Sequence, residues 1–436
     1  MKLILYTKFL LILLFIKNFV FAELKKQEVL YKKMKNYIKT MFMMFIIVLL
    51  FSCAKKEQKN VLTIWHVGSE EEAQIIKNLA DKYFTPQEGV QVVCESISWS
   101  EAHTKYLTAI AGEVLPDLGT MGLTWATEFG SKGAMIELNE AFPDDMKQIE
   151  KDVFGSIWNS VKWKNKVYGI PFDMTVQILY YRKDIIPNPP QTWNELVSLL
   201  KQGKKMVIGW GSLDWIGFSP FLWQAGGDYY TADGTKANIN TKGAVEALKF
   251  FNELYNTYKV PRSAENFAAG FRSGEYPLVM CGNWLINSFP AEMPELEGKW
   301  SITLLPKGPS GKRTSFIGGR VIGIFKTSKN VDKAFKFIKF LMKPEIQTEI
   351  YNEIAKTKNI YLPPNTAVWK ELPIKEEFKK VLFEQIKEAK GPPSVLGWDE
   401  STKYVVEAIQ NVVVLNRDPQ QELQKLNNKL NELIKN

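Results

Sequence analysis

The alternation of apolar and polar positions is clearest just after residue 60. Val61–Val67 alternates and is rich in β-branched side chains, which predicts a strand. Gly68 ends this pattern, and Ser69 followed three residues later by Glu72 has the spacing of a capping box. Apolar residues then recur at helical spacing, and residues 90–93 form a second β-branched run. The order strand, helix, strand predicts a parallel sheet covered by helices.

Comparable signals continue to the end of the chain without an internal repeat. They predict helices at residues 241–258 and 334–342, strands at 277–281 and 321–325, and a last helix that begins at Asp418-Pro419. The chain is long enough for two lobes with separate cores.

Two short apolar runs, each preceded by lysines, precede the first strand. The second run, residues 41–51, follows Met34 and ends at Ser52-Cys53. Both runs are too short for a membrane-spanning helix and have the layout of signal peptides. The second resembles a bacterial lipoprotein signal, which implies that Cys53 is lipidated. We expect residues 1–53 to be a signal region with translation starting at Met34. A Cys that closes a membrane anchor helix is the alternative.

The net charge of +9 comes from this leader. Twelve of the 56 basic residues, but only three of the 47 acidic ones, lie in residues 1–60, so the remainder is neutral. A nucleic-acid-binding protein keeps its positive charge in the folded domain, so no nucleic-acid partner is expected. The three Cys residues are too few for a disulfide framework, and the two His residues are too few for a His-rich metal site. No metal or cofactor is predicted.

Eight segments, in order, resemble the family of extracellular solute-binding proteins that includes the maltose-binding protein. They are residues 62–68, 106–117, 125–138, 166–184, 190–196, 221–227 (FLWQAGG), 271–284 and 308–326 (GPSGKRTSFIGGRVIGIFK). The resemblance covers roughly residues 61–436.

This resemblance implies a two-lobed α/β fold of the type II periplasmic-binding-protein class, with ligand enclosed between lobes joined by hinge strands. The expected N-terminal lobe is residues 61–172 plus 318–360, and the C-terminal lobe is residues 173–317 plus 361–436. Cys94 and Cys281 then fall in different lobes, which argues against a disulfide between them.

A sugar has an apolar face that packs on an aromatic ring and a rim of hydroxyls that hydrogen-bond to planar polar groups. The chain is rich in aromatic residues, with 13 Trp. Candidate contacts of this kind are Trp223 with Gln224, Trp284 at a strand end, and Trp125. Core packing is the alternative for each Trp. Trp398, in a C-terminal position where relatives add an aromatic residue, is a further candidate.

The remaining candidates lie at the first strand end and at the expected lobe crossings. Trp65 and His66 end the first strand, and Glu70 follows in the first helical turn, where it can face the cleft. Asp173 is either a ligand contact or half of a hinge-bracing salt bridge. Gly319 permits close backbone approach. Arg320 is the unusual residue at its position and suggests a charged sugar such as a uronate or a sugar phosphate.

We therefore expect a binding protein with no chemistry of its own. It would capture a carbohydrate and deliver it to the membrane subunits of an ABC importer. It would be a monomer, held by its lipid anchor at the extracytoplasmic face of the cell membrane. One alternative is a secreted lipoprotein enzyme acting on glycans, which needs two carboxylates about 5–10 Å apart. The other is a polyamine or glycerol-phosphodiester binder of the same fold.

Overall fold

The computed structural model describes residues 60–357 and 361–435, together with the single position Lys39. The predicted signal region, with Met34 and the lipidation site Cys53, lies outside the described residues. Within the described part of the chain, no helix is both long enough and apolar enough to cross a membrane.

The strands are β1 (Val61–Val67), β2 (Gln91–Ile97), β3 (Leu118–Gly122), β4 (Lys162–Trp163), β5 (Lys166–Val167), β6 (Ile170–Pro171), β7 (Thr175–Arg182), β8 (Met206–Ile208), β9 (Leu278–Gly282), β10 (Trp300–Thr303), β11 (Ser315–Gly318), β12 (Arg320–Ile324) and β13 (Ala389–Lys390). The α-helices are α1 (Glu70–Leu79), α2 (Trp99–Gly112), α3 (Leu123–Ser131), α4 (Leu138–Ala141), α5 (Pro143–Asp152), α6 (Gly155–Val161), α7 (Trp193–Lys201), α8 (Trp215–Gln224), α9 (Lys242–Asn256), α10 (Phe267–Ser273), α11 (Leu285–Glu292), α12 (Val331–Leu341), α13 (Pro344–Lys356), α14 (Glu376–Lys387), α15 (Trp398–Val413) and α16 (Pro419–Lys435), together with a one-turn α-helix at Thr85–Glu88 between α1 and β2.

The first sheet has the strand order β2-β1-β3-β12-β6. Strands β2, β1 and β3 are parallel, as the sequence predicted, whereas β12 is antiparallel to both β3 and β6. The predicted capping box is present at α1, where the Ser69 side chain accepts from the Glu72 backbone N–H and the Glu72 side chain accepts from the Ser69 N–H. As a result, α1 begins directly above the carboxyl end of β1.

The second sheet has the order β13-β11-β7-β9-β8, and β10 pairs with the far end of β7. Because side chains alternate across a strand, β7 contributes side chains to an apolar layer on each face of the sheet. Val176 and Ile178 join a cluster that continues into the first sheet, while Leu179 packs with residues of α8 and α9 on the opposite face.

The chain passes between the two sheets where β6 leads into β7 and where β11 leads into β12. Gly318 pairs with Thr175 in the second sheet, and Val321 pairs with Pro171 in the first. A third segment lies alongside, because Met174 N–H donates to Leu362 O at 2.9 Å. The carboxyl ends of β1 and β3 in one sheet, and of β8, β9 and β11 in the other, therefore point toward this junction. Open α/β sheets bind ligands at such ends.

Candidate functional site

A buried ion network occupies the junction between the sheets. Arg320 is 5% exposed and Asp173 6% exposed. The Arg320 Nε donates to Asp173 Oδ2 at 2.7 Å, and its backbone N–H donates to Asp173 Oδ1 at 2.7 Å. Its Nη1 donates to Val67 O at 2.7 Å and to Glu72 Oε2 at 3.0 Å. One guanidinium thus joins both crossing segments to the start of α1.

His66 completes the network as a neutral side chain. Arginine only donates, so the 2.9 Å contact between Arg320 Nη1 and His66 Nε2 favours an unprotonated Nε2 over the longer 3.4 Å contact of the same nitrogen with Glu72 Oε2, and Nη1 shares its two hydrogens among His66, Val67 O and Glu72. The proton then lies on Nδ1, which is 3.2 Å from Thr120 Oγ1. Burial lowers the pKa of His66, and the nearby Arg320 lowers it further. His66 is therefore uncharged at neutral pH.

The Glu72 carboxylate of the network is charged. Burial acts to raise the pKa of Glu72, but hydrogen bonds and the positive charge of Arg320 hold that pKa well below its usual range. Burial likewise opposes the charge on Arg320, yet the charges of Asp173 and Glu72 raise the pKa of the guanidinium.

These contacts bear on alternatives that the sequence left open. Asp173 lies in the hinge-bracing salt bridge and not on an open surface. Arg320 has its donors engaged by protein groups, which argues against its use for a charged sugar. Gly319 serves the close approach of two backbones, because at its φ of 143° a Cβ would lie 2.2 Å from Asp173 O. Glu70 is exposed in the first turn of α1, and the neighbouring carboxylate that points inward is Glu72.

Two predicted Trp residues lie partly exposed at strand ends, one on each sheet. The indole of Trp125 packs over Gly122, where a Cβ would lie 3.1 Å from the ring. The indole of Trp284 packs over Gly282 in the same way, since a Cβ would lie 1.8 Å from that ring. In each case the missing Cβ of the glycine leaves room for the aromatic ring at the end of the strand.

Trp65 has a different setting. It is partly buried against Tyr106, with ring centroids 5.6 Å apart, and Lys105 Nζ lies 4.4 Å from its ring centroid. Its outer face is therefore already covered by a cation.

Three predicted contacts are packed into the interior. Trp398 is 2% exposed and packs edge-on against Tyr229 and Trp215. Trp223 is 4% exposed. Gln224 accepts from Trp193 Nε1 at 2.7 Å and donates to Thr314 O at 3.0 Å, so its amide ties together buried segments. For Trp223 and Trp398 the structure favours packing in the hydrophobic core over contact with a ligand. The amide oxygen and nitrogen of Gln224 are both hydrogen-bonded to buried protein groups.

The sequence reasoning missed other aromatic residues near the junction. Trp210 and Trp215 are partly exposed, and Trp210 packs edge-on against Trp284 at 5.1 Å between centroids. Trp99 is 50% exposed and lies edge-on to Trp125 at 5.7 Å. The sequence did contain a signal for Trp210, because this residue stands between Gly209 and Gly211 just after the end of β8.

One group of side chains has donor atoms that a metal can use. His103, Glu128 and Asp399 each offer one atom within 4.8 Å of the others, and all three are partly exposed. The Glu128 side chain is also bound by Lys132 Nζ at 2.6 Å.

Comparisons with known proteins agree with this architecture. The family model described as bacterial extracellular solute-binding protein matches residues 78–380. A maltotriose-binding protein of Pyrococcus abyssi is 25% identical over 324 residues, covering 72% of this chain and 69% of the relative.

Two solved structures share the fold. The sugar-binding protein MalE from Xanthomonas citri superposes with a TM-score of 0.76 at 24% identity, covering 86% of this chain and 97% of that one. A solute-binding protein of an ABC transporter from Thermotoga lettingae, bound with α-D-tagatose, has a TM-score of 0.71 at 23% identity over 86% of this chain and all of its own. The expected two-lobed α/β fold is confirmed. Since the family model spans most of the folded region, the chain belongs to the bacterial extracellular solute-binding protein family.

Proposed function

We propose that the protein captures a carbohydrate between its two lobes and delivers it to the membrane subunits of an ABC importer, without chemistry of its own. The observation that carries this proposal is the pair of Trp125 and Trp284, which pack on glycine-terminated strands of opposite sheets at the same junction. Aromatic rings presented in this way suit the apolar face of a sugar. The maltotriose-binding and MalE relatives bind sugars, which agrees with the proposal.

The proposed contacts are the partly exposed aromatic residues at the strand ends. We place Trp125 and Trp284 first, with Trp210 and Trp99 beside them, and Trp65 at the periphery because Lys105 already covers its ring. The ligand is proposed to be neutral. The buried charges of the ion network bind one another, so they offer neither a free cation for a sugar phosphate nor a free carboxylate for a polyamine.

A binding screen tests the proposal. Titration calorimetry with neutral mono- and oligosaccharides, sugar phosphates and putrescine should give binding only with the neutral sugars. Trp125→Ala and Trp284→Ala should each weaken binding by about fivefold or more, because stacking on an aromatic ring contributes on the order of 1 kcal/mol or more. Trp163→Ala is the control, since that partly exposed Trp lies on the β4-β5 hairpin. Tight binding of putrescine or a sugar phosphate instead would contradict the proposal, and hydrolysis of an oligosaccharide would favour the enzyme.

The lobe boundaries follow the crossings. We propose residues 61–172 with 318–360 as the N-terminal lobe and residues 173–317 with 361–436 as the C-terminal lobe. The passage from β6 to β7 and from β11 to β12 supports these limits. Small-angle scattering with and without the bound sugar tests them, because closure about this junction should reduce the radius of gyration of a monomer.

Family membership places the protein outside the cytoplasm. We propose that it is held at the membrane by lipid on Cys53, after a start at Met34. More than one acyl chain gives stable anchoring. Mass spectrometry of the native protein should find a lipidated N-terminal Cys53 and no peptides from residues 1–33. Cys53→Ser should release the protein from the membrane fraction, and retention of that variant would refute the anchor.

A further inference from the structure

A polar cluster joins α2 and α3, the helices that follow β2 and β3 of the first sheet, to the start of α15. Helix α15 packs on α8 and α9 beside the second sheet. His103 Nε2 lies 2.8 Å from Glu128 Oε2, and Asp399 reaches the same group of atoms within 4.8 Å. Thr124 Oγ1 also lies 3.5 Å from Asp399 Oδ2. The cluster adjoins Trp125, whose ring centroid is 5.0 Å from that of His103.

The cluster holds more negative than fixed positive charge. The groups that face His103 are Glu128 and Lys132 from α3 and Asp399 from α15. Lys132 Nζ forms an ion pair with Glu128 Oε1, the carboxylate oxygen that does not contact His103. The strongest favourable charge that acts on Asp399 is that of His103. A charged Asp399 therefore depends on His103 for a positive partner.

The two histidines of the chain differ in this respect. His66 is buried and held neutral by Arg320, whereas His103 is about one-third exposed and hydrogen-bonded to a carboxylate. His103 is consequently the histidine that can change its charge near neutral pH.

We propose that His103, Glu128 and Asp399 form a proton-dependent latch, in which the protonated imidazole joins the two carboxylates and favours contact between the lobes. This inference rests on the proposed function for its biological use, because the latch would regulate closure of the same cleft.

The direction of the pH effect follows from the charges. The hydrogen bond with Glu128 raises the pKa of His103, and the charge of Asp399 raises it further. Burial raises the pKa of Asp399. The His103 contribution is fully present below its ordinary pKa of about 6.5 and is lost as the pH rises through the raised value, whereas protonation of Asp399 in more strongly acidic solution removes one of the two carboxylates from the contact.

A bound metal ion suits the geometry less well. Two ligand atoms on one divalent ion, each at about 2.1 Å, lie roughly 3 Å or more apart. The 2.8 Å separation of His103 and Glu128 is instead that of a charge-assisted hydrogen bond.

Small-angle X-ray scattering of the ligand-free protein at about pH 5.5 and about pH 8 tests the latch, since His103 titrates between these values. The wild type should have the smaller radius of gyration in acid, and this response should be absent in Asp399→Asn and His103→Gln. Glu400→Gln is the matched control, because Glu400 is exposed and adjacent on the same helix, and it should keep the response.

Sugar affinity should also be higher in acid, by roughly tenfold for each pKa unit by which closure raises the pKa of His103. An unchanged radius in the wild type, or a full response in Asp399→Asn, would overturn the latch. So would a response that EDTA removes or that zinc reproduces at the higher pH, since either assigns the cluster to a metal. The scattering experiment uses no sugar. If no sugar binds at any pH, the proposed function is refuted but the latch is not. If the scattering is independent of pH while sugar binds normally, only the latch is refuted.

Discussion

Replacing Arg320 by Met removes the single cation from a buried group of charges. Asp173 and Glu72 would then keep their burial without the guanidinium that binds both of them, and His66, whose neutral form burial still favours, contacts only Glu72 of the two, at 3.4 Å. Breaking a buried ion pair in this way costs about 3–5 kcal/mol. The expected loss lies in that range, since methionine fills part of the arginine volume but donates no hydrogen bonds.

Scanning calorimetry measures this loss. Unfolding entropy of about 2.1 cal/mol/K per residue means that a chain of this size loses roughly 1.1 °C of Tm per kcal/mol, so Arg320→Met should lower the Tm by about 3–5 °C. The triple variant Arg320→Met, Asp173→Asn, Glu72→Gln should recover much of the loss, because it buries no unpaired charge. Lys336→Met, which breaks an exposed ion pair with Glu88, is the control and should cost less than about 1 kcal/mol. A Tm unchanged in Arg320→Met would refute the reasoning.

Three further outcomes are expected. Gly319→Ala should lower the Tm and shift the open and closed populations seen by scattering, because a Cβ there meets Asp173 O at 2.2 Å; normal behaviour would show that the hinge backbone is free to move. Gly282→Ala should displace the Trp284 indole and reduce sugar affinity in calorimetric titration with little change in Tm, and unchanged affinity would argue against Trp284 as a platform. Trp398→Ala should cost about 3–5 kcal/mol in denaturant unfolding as a core truncation, with Trp398→Phe much milder; loss of sugar binding at unchanged stability would instead return Trp398 to the cleft.

The local signals in the sequence located the elements well. The capping box at Ser69 and the N-cap at Asp418, whose Oδ1 accepts from Gln421 N–H at 2.9 Å, depend on neighbours within four residues. The alternation that predicts β1 likewise lies within its own seven residues, although its pairing partners β2 and β3 are distant in the chain. Such features can be predicted because the signals that specify them lie close together in the chain.

The direction of individual side chains could not be predicted in the same way. Trp223 and Trp284 both stand beside a polar residue near a glycine, yet one is buried and the other partly exposed. The burial of Trp223 involves a contact distant in sequence, since Phe316 stacks on its ring, whereas Trp284 lies over Gly282, two residues earlier in the chain. Glu70 and Glu72 likewise differ only in which face of the first helical turn they occupy.

The ion network explains why the polar residues at the hinge were the hardest to assign. Polar groups are expected in a sugar cleft, but they are also needed wherever two lobes share a buried junction, because chain crossings leave backbone groups and charges to be satisfied. His66, Asp173 and Arg320 meet that second need. Once these charges are bound to one another, recognition falls to the aromatic residues at the strand ends. The specificity of the cleft should therefore respond far more to Trp125 and Trp284 than to any change in the charge of the hinge.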